Sequence, residues 1–140
     1  MNATVKNIIV VIVGLLVGGF INGGLISIGS SIIPAPEGVD MNSMEGLKQA
    51  MPLLQPMNLI FPFLAHALGV LVGAFIVAKF SETNKFNFAM LIGVLFLLAE
   101  ITMVVLVGGP LWFIVLDLVG AYFSMAWLGY KLAVGKNSMA

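Results

Sequence analysis

The sequence predicts an all-α integral membrane protein, a four-transmembrane-helix bundle with a short external amphipathic helix between helices 1 and 2. Three observations carry that prediction. Of the 140 residues, 61% are hydrophobic and only 9% charged, whereas soluble domains carry about 25% charged residues. Four apolar segments are each long enough to cross roughly 30 Å of hydrocarbon. The stretches between them hold the proline, glycine and polar residues that stop a helix.

The first span runs from about Val5 to Ile33 and ends at Pro34-Ala35-Pro36. It is too long for the core of a secretory signal, so it reads as a membrane helix. The second span covers 58–80, the third 86–107 and the fourth 111–134, all within a single transmembrane domain over 1–140. Ser81 to Lys85 is a short polar link, and Gly108-Gly109-Pro110 is a tight turn. The long connection, 34–57, contains Asn42 followed by Glu45, a pattern like a capping box. Met44, Leu47, Met51 and Leu54 then recur at helical spacing until Pro52 bends or ends the helix. Such a segment is expected to lie on the membrane surface with its apolar side down, and a loop of this length suits a lid or binding element.

Lysines orient the chain. Lys6 precedes the first span, Lys79 and Lys85 flank the second turn, and Lys131 and Lys136 lie at the end of the fourth span. The 34–57 connection holds Glu37, Asp40 and Glu45 against Lys48 alone. The positive-inside rule then makes both termini cytoplasmic and the connection external. Trp112 near the outer boundary, and Trp127 and Tyr130 near the inner one, fit the aromatic belts. A multi-pass protein of a bacterial inner membrane is expected.

Every basic residue is lysine and there is no cysteine. This disfavours nucleic-acid binding, and it excludes thiol redox chemistry, iron–sulfur ligation and thiolate zinc sites. No nucleotide loop, HExxH or dinucleotide fingerprint occurs.

Three ionisable residues lie inside the spans: His66, Glu100 and Asp117. A charge at the bilayer centre costs about 2.5–3.5 kcal/mol on insertion scales, so such residues usually face protein and often mark function. At 1.5 Å of rise per residue, all three, with Asn22 of the first span, fall roughly 9–16 Å below the outer boundary. Pro62, His66, Gly69 and Gly73 share one side of the second span. Asp117, Gly120, Ala121 and Ser124 share one side of the fourth. Asn22, His66, Glu100 and Asp117 are therefore the candidates for binding a ligand or proton. Mutual pairing within a dry cluster would make them interhelical glue instead.

Gly14, Gly18, Gly69 and Gly73 are the candidates for helix packing, because small residues let backbones approach. The segment from Gly14 to Ile21 resembles that from Gly69 to Ile76, a match that does not extend and that reads as coincidence between glycine-rich helices. One histidine and two carboxylates form the ligand set of non-haem iron sites and some zinc sites, but no metal site is expected, since ligand pairs at i, i+3 or i, i+4 are missing. Met41, Met44, Met51 and Met57 cluster in the connection and invite Cu(I), but methionine also packs irregular interfaces well. Ser30 or Ser31 with His66 and Asp117 would make a nucleophilic set, yet no strained-turn signature surrounds either serine.

In size and helix count the chain is similar to the small multidrug transporters. Their characteristic membrane glutamate lies in the first helix, where this chain has no acid, so membership is not assigned.

Two functions of different class follow. One is a non-enzymatic accessory or assembly module that packs through glycine-lined faces as a homo-oligomer or as a subunit of a larger membrane complex. The alternative is a transporter or small-ligand or ion-binding protein that uses the polar layer for proton or cation coupling. The lipid bilayer is the expected surrounding partner, and no cofactor is identified.

Overall fold

A computed structural model describes residues 1–135, whose regular structure is all helical, with no strand among them. The long helices are α1 (Ala3–Ile32), α3 (Ile60–Phe80) and α4 (Lys85–Val107). The fourth apolar segment is divided into α5 (Leu111–Gly120) and α6 (Phe123–Val134). Together these make four helical stretches long and apolar enough to cross a membrane. The short α2 (Met44–Ala50) lies in the 34–57 connection and is followed by two 3-10 turns, Met51–Leu53 and Pro56–Leu59. Lys136 lies outside the described residues.

Large apolar side chains cover the outside of the helices. Phe20 is 83% exposed, and Leu16, Val105 and Val119 also project outward. Helices that are apolar all round suit a deep core or a membrane. Here most of that surface is uncovered by protein, which fits a multi-pass membrane protein.

Small residues set how closely the helices approach. The buried residues of α1 are Asn7, Gly14, Gly18 and Gly29. Gly14 lies against Gly73 and Gly18 against Gly69, and a Cβ on Gly18 would stand 2.6 Å from the Gly69 carbonyl oxygen. The two look-alike segments are thus packing partners. The same need for small residues, one turn apart on each antiparallel helix, explains a match that sequence alone assigns to coincidence.

Helix α3 is the hub. It packs on α1, α4 and α6, and its Ala65, Val70, Ala74, Val77 and Ala78 are fully enclosed. On the face toward α6 the small residue belongs to the partner. A Cβ on Gly129 would lie 2.5 Å from the Leu71 carbonyl oxygen.

One end of the molecule is pinned by side chains. The buried Asn7 donates to Thr83 Oγ1 (3.0 Å) and accepts from the Glu82 N–H (2.9 Å). Lys6 pairs with the Glu82 carboxylate, which holds that exposed carboxyl below its ordinary range. The N-terminus of α1 therefore sits at the α3–α4 turn. The 34–57 connection and the α4–α5 turn lie toward the opposite end. Gly108 and Gly109 make the α4–α5 turn with φ of +84° and +154°, where side chains are strained.

Two local expectations are corrected. The N-cap of α2 is Ser43, whose Oγ accepts from the Gly46 N–H at 3.0 Å, whereas Asn42 lies one residue outside. Serine at this position satisfies a free N–H as well as asparagine does. Asn42 is instead drawn into a turn with Asp40, donating its N–H to Oδ1 at 2.9 Å. That bond, with Ser43, keeps the exposed Asp40 carboxyl below its ordinary range.

The fourth segment is also not one continuous helix. It breaks at Ala121–Tyr122, where Tyr122 takes φ −109° and ψ −81°. Ser124 Oγ bonds the carbonyls of Gly120 (2.7 Å) and Val119 (3.1 Å), answering backbone oxygens around the break. Ser124 is exposed, so it does not join Asp117 on an inward side.

Candidate functional site

Three helices bring His66, Glu100 and Asp117 together. His66 stands two turns into α3, and Pro62 in the first turn below it needs no intrahelical N–H partner. Its Nδ1 lies 2.8 Å from Asp117 Oδ2, and its Nε2 lies 3.8 Å from Glu100 Oε2. Asp117 is 1% exposed, while His66 and Glu100 are partly open.

Tyr122 completes the group and is the residue that sequence reasoning missed. Its hydroxyl donates to the same Asp117 Oδ2 at 3.1 Å, and its ring lies 6.1 Å from that of His66. In an unbroken helix a residue five positions on would point about 140° away. The break after Gly120 brings Tyr122 round, and no periodicity in the sequence signals that break.

Both bonds to Oδ2 use it as an acceptor, which fits a carboxylate oxygen receiving Nδ1–H and O–H. Nε2 is then directed at Glu100, free either to hold a proton or to offer a lone pair. Asp117 Oδ1 is buried with no hydrogen-bond partner among the described residues.

Asn22 does not bridge the cluster. It lies beside Gly69, with its Cβ 3.3 Å from where a glycine Cβ would be, and lines a shared cavity without a hydrogen bond to the three ionisable residues. Gly14, Gly18, Gly69 and Gly73 form the seam that fixes α1 against α3 just below this layer.

The cavity has a volume of about 830 Å³ and reaches from His66, Glu100 and Tyr122 to the 34–57 connection. Its walls come from α1, α3, α4 and, through Phe113, α5, with Leu47, Met51 and Leu54 of the connection facing it. Three of the apolar residues spaced along the connection thus turn toward the chain's own cavity, whereas Met44 does not. No lysine lines it. Met41 and Met51 are on the wall, whereas Met44 and Met57 are exposed, so the methionines do not gather into one thioether site. Ser30 and Ser31 spend their hydroxyls on the carbonyls of Ile26 and Ser27, as membrane-helix serines commonly do.

A nitrogen of His66 and one oxygen each from Glu100 and Asp117 all lie within 4.8 Å of one another. The expectation of no metal site rested on local spacing, which does not apply to ligands drawn from three helices. In comparisons with protein families, with curated proteins and with solved structures, nothing matches this chain.

Proposed function

We propose that the chain is a four-helix membrane bundle that binds a small cationic or polar solute at the His66–Glu100–Asp117 layer. The solute enters through the cavity beneath the 34–57 connection. The observation that carries this is a partly open carboxylate, Glu100, on the wall of an 830 Å³ cavity with no lysine beside it. Pockets of roughly 300–1,000 Å³ with few polar groups are typical of small-molecule sites. The lysines at the ends of the spans support cytoplasmic termini and an external cavity mouth under the positive-inside rule. Helix α2 serves as its cover.

The assembly reading draws less support. Gly14, Gly18, Gly69 and Gly73 are occupied within the chain, so they offer no surface to a second copy or a larger complex.

The chain's lack of cysteine makes the test clean. Ala99→Cys, on the cavity wall, is expected to react with a water-soluble, membrane-impermeant thiol reagent added outside. Leu16→Cys, on the outward face of α1, is expected to stay unreacted because lipid excludes the reagent. Glu45→Cys should label from outside and Thr83→Cys should not. Equal protection of Ala99→Cys and Leu16→Cys would mean a dry cavity and would end the proposal. Labelling of Thr83→Cys in place of Glu45→Cys would move the mouth to the cytoplasm.

A further inference from the structure

The geometry points to a divalent transition-metal site in which His66 Nε2 and the Glu100 carboxylate bind the ion, with Asp117 and Tyr122 holding the histidine in place. The inference rests on the solute-binding cavity proposed above and names its occupant.

The first argument is geometric. A metal about 2.0–2.2 Å from an imidazole nitrogen and a carboxylate oxygen holds those atoms roughly 3–4 Å apart. Nε2 and Oε2 are 3.8 Å apart, too long for a hydrogen bond and suited to an ion between them. The second is the state of the imidazole. Metal-ligating histidines commonly donate their other N–H to a carboxylate, which fixes the tautomer and the ring. Asp117 Oδ2, 2.8 Å from Nδ1, supplies this, and the Tyr122 hydroxyl fixes the same oxygen.

The third argument is charge. Two carboxylates share a largely enclosed layer with one imidazole, no lysine lines the cavity, and Asp117 Oδ1 is buried without a partner among the described residues. Buried charges are ordinarily paired or coordinate metals. A divalent ion balances both carboxylates. An imidazole ligand favours Zn²⁺, Co²⁺ or Ni²⁺ over Mg²⁺ and Ca²⁺, which prefer oxygen alone. Two protein ligands leave further positions of the ion facing the cavity, open to water or to a donor atom of a solute.

His66 is the only histidine of the chain, so the tag-free protein in nanodiscs reports on the site directly. Titration with Zn²⁺ is followed by calorimetry and by the two-bond ¹⁵N–¹H spectrum of the single imidazole. The expected result is one Zn²⁺ per chain, with the Nε2 resonance shifted and the proton kept on Nδ1. Mg²⁺ should give neither signal. His66→Ala should abolish binding, Glu100→Gln should weaken it at least tenfold, and Asp117→Asn about 10–100-fold. Circular dichroism and gel filtration establish that each variant is folded. If Asp117→Asn fails to fold, Glu100→Gln and the wild-type spectrum still decide.

Wild-type protein that does not saturate with Zn²⁺, or that binds it equally well as His66→Ala, overturns the inference. If Zn²⁺ fails to bind while Ala99→Cys is labelled from water, the metal assignment falls alone. If Ala99→Cys is also unreactive, the cavity reading falls with it.

Discussion

Two neighbouring regions of α1 and α3 solve the packing problem in opposite ways. At the glycine seam, Gly14 and Gly18 bring their backbone against Gly73 and Gly69, and no side chain separates the helices. One turn further on, Asn22 and His66 are on the wall of a cavity that phenylalanines and methionines border without filling. The seam leaves no room even for a methyl group. The layer beside it leaves room for a solute. The contrast shows that rigidity and vacancy are adjacent by construction: the tight seam fixes where His66 stands, and the loose layer lets something reach it.

The largest effect is expected where the contrast is sharpest. Gly18→Leu would drive a side chain into the Gly69 carbonyl, which is helix backbone and cannot swing aside. A loss of ~3 kcal/mol or more is expected, at the upper end for overpacking, read as a lowered thermal midpoint in detergent. Gly19→Leu, on the next residue, meets nothing within 4 Å and should leave the midpoint almost unchanged. Similar effects from the two would break the distinction between seam and outer face.

Next comes the centre of the polar layer. Asp117→Ala strands both the His66 Nδ1–H and the Tyr122 hydroxyl, and each unsatisfied buried group costs about 1–3 kcal/mol. Denaturant or thermal unfolding should show ~2 kcal/mol lost, with Asp117→Asn recovering part of it because the amide oxygen still accepts. A neutral Asp117→Ala would mean the cluster is not held through this oxygen.

Filling the cavity should cost far less. Ala99→Leu adds bulk where space already exists, so stability should stay within ~1 kcal/mol of wild type, while Zn²⁺ access to Glu100 falls. Unchanged Zn²⁺ binding in that variant would show that entry follows another route.

The smallest effect lies at the pinned end. The Glu82 carboxyl is held below its ordinary value by Lys6, so the pair stabilises the fold at neutral pH. That contribution is lost as pH falls through the depressed value. Both groups are exposed and screened by water. Glu82→Gln should therefore flatten only a slight acid dependence of the thermal midpoint, whereas Asn7→Ala, which removes a buried partner of two groups, should cost more.

The apolar runs, their turns and the convergence of His66, Glu100 and Asp117 were legible in the sequence. Span length and helix rise alone place those three at one depth. Gly14, Gly18, Gly69 and Gly73 were legible as packing positions, although not as one another's partners. Tyr122 was not legible, because its position depends on a helix break that Ser124 helps to satisfy. Gly129 was overlooked for a different reason. It is a lone glycine in an aromatic-rich helix, and only the position of α3 shows that a backbone must fit there. Local spacing argues against the His66, Glu100 and Asp117 set as a metal site, because its proximity is created by folding, with His66 and Asp117 51 positions apart.

The central position of α3 also imposes an order in time. The chain is made from its N-terminus, so α3 meets α1 first, α4 next, and α5 and α6 last. Until then His66 has no Asp117 and no Tyr122, and the groove that receives Gly129 stands empty. The segment from Leu111 onward therefore closes the core and completes the surroundings of His66 in the same event. A chain that stops before Leu111 keeps His66 and Glu100 but loses the carboxylate and hydroxyl that fix the imidazole, together with the closure of the core.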